Sequence, residues 1–397
     1  MRITLVTDTY LPEVNGVTTV LSTMRAGLML RGHHVQVICP AYPSAVREDA
    51  EVVRLPSISC PGYPALRLSF PWHPAVARSI RRFAPDIVHA ATEGPLGSAG
   101  RRFALRKRIP FASSYHTDFP RYAAEYLGRW AVAPTREHLR RFHSAALFTQ
   151  TPSAFIRDEL KTLGVPSPVV WGRGVDAKHF TPDRRSAVRR AAADTGVRVL
   201  HVGRLAVEKA TGTLIEAFQR AHLLLGAEAT FCIAGEGPRS REVRERLPFV
   251  RHLGFLDRQT LADLYADADL FLFPSATETC GLVALEAMAC GLPVIGARAG
   301  GVAENIRHGL TGLLVAPGHS EGFASAIVEL VRDCARREAM SQAARAFAVA
   351  CDWQRELDDL VHMYQCAVFG AAGRGGKKSP RIIPADASVL RPVRHQV

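Results

Sequence analysis

The sequence has no CxxC pair and no cysteine with a histidine companion at metal-ligand spacing. Its eight cysteines lie scattered at 39, 60, 232, 280, 290, 334, 351 and 366. That excludes a zinc module or a disulfide framework and predicts reduced, mostly buried thiols. No apolar run is long enough for a membrane-spanning helix. The opening MRITLVTDTY reaches Asp8 before any apolar core of signal-peptide length, which predicts a cytoplasmic chain, possible also as a peripheral one on the inner face of a membrane. No GxGxxG follows the first β-branched run, which sets aside a Rossmann dehydrogenase. Acid is short as well: 37 Asp and Glu against 50 Lys and Arg leave a net charge of +13. This favours phosphate ligands, anionic lipid surfaces or nucleic acid. With no recognised binding module or aromatic-lined basic sheet, nucleic acid is the poorest of the three.

What is present reads as a soluble globular chain of two domains: 397 residues, 47% hydrophobic and 22% charged. Short β-branched runs at 2–7, 33–40, 51–55, 86–90, 110–116 and 146–151 alternate with helical periodicity at 18–31, 74–83, 94–108 and 121–144. The pattern restarts with runs at 197–203, 229–235, 250–255, 270–275, 292–297 and 311–317, separated by helices near 211–225, 259–268, 282–290 and 320–350. Such alternation predicts an α/β protein of two doubly wound parallel sheets facing a central cleft. The Gly- and Pro-rich stretch 169–185 holds the join, giving domains 1–172 and 173–352. A last helix, 353–370, follows, expected to pack back on the first domain, and 371–397 reads as a disordered basic tail.

Ligands of doubly wound sheets bind beyond the carboxyl ends of the strands. At one such end the stretch TETCGLVALEAMACGLP, residues 277–293, brackets a helix start with Glu278 and Glu286. Gly281 lets backbone approach a ligand, and the helix start offers N–H groups and positive dipole to an anion such as a diphosphate. Each carboxylate can accept two hydrogen bonds from a vicinal diol, so sugar hydroxyls are natural partners; a solvated helix face is the plainer alternative. A second strand-end loop, in HVGRLAVEKATGTL, carries Arg204 and Lys209, two cations suited to a diphosphate leaving group, or to surface ion pairs. In the first half, Asn15-Gly16 opens a helix after the first strand, and His116 stands at a strand end as a candidate acid, base or hydroxyl orienter. Asp118 either orients that imidazole or caps the next helix. Asp267 and Asp269 form a DxD pair, but at the amino end of a strand and away from the cleft, so no metal is assigned there. The stretches 73–85, 100–110 and 136–148 mix Arg with Phe, as an anionic membrane surface or a merely solvated basic face would have it.

In combination, GR-x4-K (203–209), GEGP (235–238), E-x7-E (278–286) and GLPVIGARAGGVAENIRHGLTGLLVAPG (291–318) resemble the retaining glycosyltransferases of family 4, over about residues 1–370. The resemblance implies a GT-B fold and a nucleotide-diphosphate-sugar donor, with no metal and no cofactor. It implies that Arg204 and Lys209 neutralise the donor diphosphate, with Gly16 contacting it from the opposite domain. Glu286 would bind the ribose. Glu278, with backbone N–H groups of Cys280, Gly281, Leu282 and Val283, would hold the hexose near His116. Two departures are visible: EKATGTL lacks the usual Asn after the lysine, and Cys280 replaces a customary Phe. The segments 61–71, 116–128 and 171–180 look most like bacterial lipid mannosyltransferases that use GDP-mannose, a pattern shared by sulfoquinovosyl and glucosyl lipid synthases. The implied reaction moves a hexose to a lipid or lipid-linked glycan; a nucleotide-sugar epimerase is the rival on the same fold.

Overall fold

The computed structural model describes residues 1–13, 15–43, 50–60, 63–70, 73–187 and 196–372. The expected disordered tail lies outside the described residues from 373 onward, as do 61–62 and 71 of the 61–71 segment. In the first half the strands are β1 (Arg2–Val6), β2 (His34–Pro40), β3 (Val52–Leu55), β4 (Ser57–Cys60), β5 (Tyr63–Ser69), β6 (Ile87–Ala90), β7 (Phe111–Ser114), β8 (Thr149–Thr151) and β9 (Pro168–Val170). Seven of them form one sheet in the order β3-β2-β1-β6-β7-β8-β9, and β4 pairs with β5 as a separate antiparallel hairpin. The second half supplies β10 (Val197–Val202), β11 (Ala229–Ala234), β12 (Arg251–His252), β13 (Leu270–Phe273), β14 (Val294–Ala297) and β15 (Gly312–Val315), ordered β12-β11-β10-β13-β14-β15.

Every pairing within the two large sheets is parallel. Parallel strands need crossover helices, which cover both faces and demand apolar residues on both sides of each strand. In β10 this is explicit: Val199 packs into one apolar cluster with Phe218, Phe231 and Phe323, whereas Leu200 and Val202 pack into another with Tyr265, Phe271 and Met288. Chain order reverses between β1 and β6 in the first sheet and between β10 and β13 in the second. At each reversal adjacent strands send their following loops to opposite faces, opening a crevice at their carboxyl ends.

Several elements differ from the sequence reading. The stretch 121–144 is two helices, Phe119–Tyr126 and Val132–His143, because Gly128 takes φ 99° between them. The stretch 320–350 divides into Ser320–Arg332 and Cys334–Ala350, with the Asp333 side chain capping the second. Residues 168–170, overlapping the start of the expected join, pair as edge strand β9. The hairpin β4–β5 and the helices Ala154–Thr162 and Ser240–Arg246 are additional.

The helix Trp353–Ala372 lies on the first sheet's face, where Leu357, Leu360, Met363 and Tyr364 join Leu5, Met24, Val37 and Phe148 in one cluster. A polar fastener accompanies them: His89 in β6 meets the Tyr364 hydroxyl at 2.7 Å through Nδ1 and Ser114 Oγ at 2.7 Å through Nε2. Burial, with repulsion from His116, depresses the His89 pKa to about 3, so the ring stays neutral and both contacts persist at physiological pH. Leu360→Ala, at a fully buried position, is expected to cost about 2–5 kcal/mol, read as a lowered denaturant midpoint.

Candidate active site

The reversal between β10 and β13 places their two loops side by side. The loop after β10 contains Arg204 and ends in a 3-10 turn, Val207–Lys209; the loop after β13 runs from Pro274 to Gly281. Across this seam the Lys209 ammonium meets the Glu278 carboxylate, and Ser275 Oγ donates to Glu278 Oε1 at 3.1 Å. Burial opposes the charge on Lys209, yet Glu278, with smaller contributions from Tyr122 and Glu208, outweighs it and holds the pKa above that of an ordinary lysine. Arg204 Nη1 stands 3.6 Å from Glu208 Oε1. The β13 loop is pinned by Thr277 Oγ1 to the Glu208 carbonyl at 2.7 Å, by Gly301 N–H to the Glu278 carbonyl at 2.8 Å, and by Asn305 Nδ2 to the Cys280 carbonyl at 2.7 Å. Gly281, at φ 77°, turns the chain into helix Leu282–Ala289, whose start carries no side-chain cap. The dipole end is therefore left without a side-chain acceptor.

The first domain meets this loop directly. Helix Gly16–Leu30 begins with Asn15 and Thr18 in a capping box, and a Cβ added to Gly16 would lie 3.9 Å from Leu282 Cδ1. Two helix starts thus abut. Thr279 Oγ1 donates to the His116 carbonyl at 2.7 Å, and Arg121 Nη1 to the Ala276 carbonyl at 2.9 Å. Burial, with repulsion from His143, lowers the His116 pKa to about 4, so its imidazole is neutral; Nε2 has no hydrogen-bond partner among the described residues. Asp118 is a cap: its side chain accepts from Arg121 N–H at 3.3 Å and pairs with the Arg121 guanidinium at 2.8 Å.

Glu286 opens into a different space from Glu278. It lines a narrow pocket between the domains with Thr19, Thr23, Asp176, Arg258 and Leu282. Burial raises its pKa to about 7, although the Arg258 guanidinium and the Tyr265 hydroxyl favour the charged form. Cys280 is buried with its thiol pushed up to about 12, so this position offers a ligand its backbone, not a thiolate. Leu282 and Val283 are half-buried at the helix start. Asp267 and Asp269 serve the backbone at the far end of the sheet, accepting from Ser186 N–H at 2.8 Å and Arg198 N–H at 2.9 Å. Among the described residues no group of His, Cys, Asp and Glu is arranged to hold a metal ion.

The sequence reading passed over Glu208, Tyr126 and Glu304. Glu208 had a visible signal, a lone acid inside a cationic loop. Glu304 caps helix Ala154–Thr162 of the first domain, accepting from Ala154 N–H at 3.0 Å and Phe155 N–H at 2.6 Å, and pairs with Arg173 at 3.2 Å. Only the packed domains reveal it.

Two parallel doubly wound domains with this crevice are the GT-B architecture, and solved glycosyltransferases share it. Sucrose-phosphate synthase from Thermosynechococcus elongatus superposes with a TM-score of 0.75 at 19% identity, covering 93% of this chain and 99% of the other. Anabaena Alr3699/HepE, in complex with UDP, gives 0.72 at 21%, covering 92% and 100%. The sequence matches Glycosyltransferase Family 4 over residues 14–179 and Glycosyl transferases group 1 over 196–333. The chain belongs to this glycosyltransferase family and is an enzyme. It is 32% identical to a GDP-mannose-dependent alpha-mannosyltransferase of Corynebacterium glutamicum, over 92% of this chain and 88% of the other. To Sulfoquinovosyl transferase SQD2 of Arabidopsis thaliana it is 35% identical over 81% of this chain, spanning 64% of the plant protein.

If Glu286 grips a nucleotide through its carboxylate, its titration near neutrality becomes visible in binding. The carboxylate fraction rises with pH through about 7, so nucleoside diphosphate affinity should increase by up to about tenfold from pH 6 to pH 8. Glu286→Gln should bind more weakly at pH 8 and show a flat profile in calorimetric titrations.

Proposed function

We propose that the chain transfers a hexose, mannose from GDP-mannose, to a lipid or lipid-linked glycan with retention at the anomeric carbon and without a metal. The observation that carries the chemistry is the meeting of Lys209 and Glu278 beside Arg204 and the uncapped helix start. The donor choice is supported by the 32% identity to the corynebacterial GDP-mannose-dependent enzyme over nearly the whole chain.

On this reading the Lys209–Glu278 pair is exchanged for contacts with the donor. A donor brings a diphosphate that is a counter-ion for Lys209 and hydroxyls that are partners for Glu278, so one exchange satisfies both groups. Arg204, Lys209 and the amides of Cys280, Gly281, Leu282 and Val283 face the growing charge as the C1–O bond to phosphate breaks. Gly16 brings the other helix start to the same diphosphate. Glu286 takes the ribose. Neutral His116 and Glu278 position the hexose. With retention, the acceptor oxygen bonds to C1 from the face the diphosphate leaves, and a phosphate oxygen receives the acceptor proton, so no protein base is required.

Part of the surface supports a lipid acceptor and a membrane location. Leu127 and Trp130, 61% and 75% exposed, stand beside exposed Arg129 and Arg136, a mixture suited to peripheral docking on anionic lipid at the cytoplasmic face. Among the described residues no helix is long and apolar enough to cross a membrane. A second reading, glucosyl or sulfoquinovosyl transfer from a UDP-sugar to a glycolipid, draws on the similarity to the plant sulfoquinovosyl transferase and on 29% identity, over 74% of this chain, to Alpha-monoglucosyldiacylglycerol synthase of Acholeplasma laidlawii.

Purified protein incubated with GDP-mannose or UDP-glucose and a membrane lipid extract, followed by mass spectrometry, should yield a mannosylated lipid. Product from UDP-glucose with GDP-mannose inert would replace the donor by the second reading. Altered sugar without acceptor would point to epimerisation. Lys209→Ala should lower kcat/KM by roughly 10²-fold or more.

A further inference from the structure

The donor loop carries a carboxylate that the transfer chemistry leaves without a role. Glu208 is 4% exposed, and its Oε1 makes no hydrogen bond among the described residues although Arg204 Nη1 stands 3.6 Å away. Its Oε2 accepts a 2.7 Å hydrogen bond from the hydroxyl of Tyr126, the last residue of helix Phe119–Tyr126 in the opposite domain. The Tyr126 ring stacks on Tyr122, with centroids 6.2 Å apart. A carboxylate held at one oxygen can turn its plane only by giving up that hydrogen bond. It attracts the Arg204 guanidinium without closing on it as a hydrogen-bonded pair. Without the tyrosine hydroxyl, Glu208 is free to rotate onto Arg204 and compete with an incoming diphosphate, since charge-assisted carboxylate–guanidinium hydrogen bonds are among the stronger ones.

We propose that Glu208 is a positioning residue for Arg204, set from across the cleft by Tyr126, so that the diphosphate-binding cations are correctly presented only when the first domain is docked on the second. The proposal rests on reading the site as one for a nucleoside diphosphate sugar. It makes domain closure and leaving-group stabilisation one event, through a single hydroxyl.

The test is Tyr126→Phe, which deletes only the hydroxyl of a side chain 55% exposed, with Glu208→Gln and the double variant. Full-length proteins are titrated calorimetrically with GDP and UDP, each beside its monophosphate. Tyr126→Phe should weaken diphosphate binding about tenfold and monophosphate binding by less than about twofold. Glu208→Gln has no charge to compete, so adding Tyr126→Phe to it should change nothing further. Unchanged diphosphate affinity in Tyr126→Phe, an equal loss with the monophosphate, or additive losses in the double variant would each overturn the coupling. A wild-type protein that binds GDP or UDP yet transfers from no donor sinks the transfer reading alone, because the coupling is still read from binding.

Discussion

A desolvated ammonium has to be neutralised, and at this cleft Lys209 has Glu278 for the purpose. The requirement explains much of the local architecture. The two residues sit on loops 69 positions apart in sequence and meet only because β10 and β13 are neighbours at the point where strand order reverses. Had the loop after β13 been free to move, the carboxylate would sample solvent and the half-buried ammonium would lose its counter-ion. Instead the loop is tied down by Gly301, Asn305, Thr277 and Ser275. Rigidity that serves a structural ion pair is also what the proposed transfer needs, a site preorganised before charge develops on the phosphate.

Several contacts between the domains are polar. Thr279 to His116, Arg121 to Ala276, and Glu304 to the start of helix Ala154–Thr162 each join a side chain to backbone. Such bonds can be exchanged for water at small net cost; an apolar contact accompanies them at Leu282, which packs against the clusters of both domains.

Much of the fold was legible in the sequence because both sheets are parallel and buried on both faces, which imposes continuous β-branched runs such as VRVLHV in β10. Edge strand β9 was not legible: three residues beginning with Pro168 carry no period. The division of 121–144 depended on the conformation of Gly128, in a stretch whose apolar spacing continues past the break. At the site, Arg204, Lys209 and Glu278 could be grouped from strand-end position alone. The separation of Glu278 from Glu286 could not, since a spacing of eight across a loop and a helix leaves open which space each side chain enters. Asp118 illustrates the same limit. Two roles fit its sequence position, and the placement of Arg121 decides between them.

The helix Trp353–Ala372 closes the first sheet's apolar face with residues that lie beyond the entire second domain in sequence. During synthesis, Leu5, Met24 and Phe148 are made early but cannot be covered until Leu360 and Tyr364 have left the ribosome. The second sheet, local in sequence between residues 197 and 315, is complete before that. Order of translation therefore inverts order of completion: the half that emerges first is the last to finish folding, and for that interval it is the part of the nascent chain most in need of protection from aggregation.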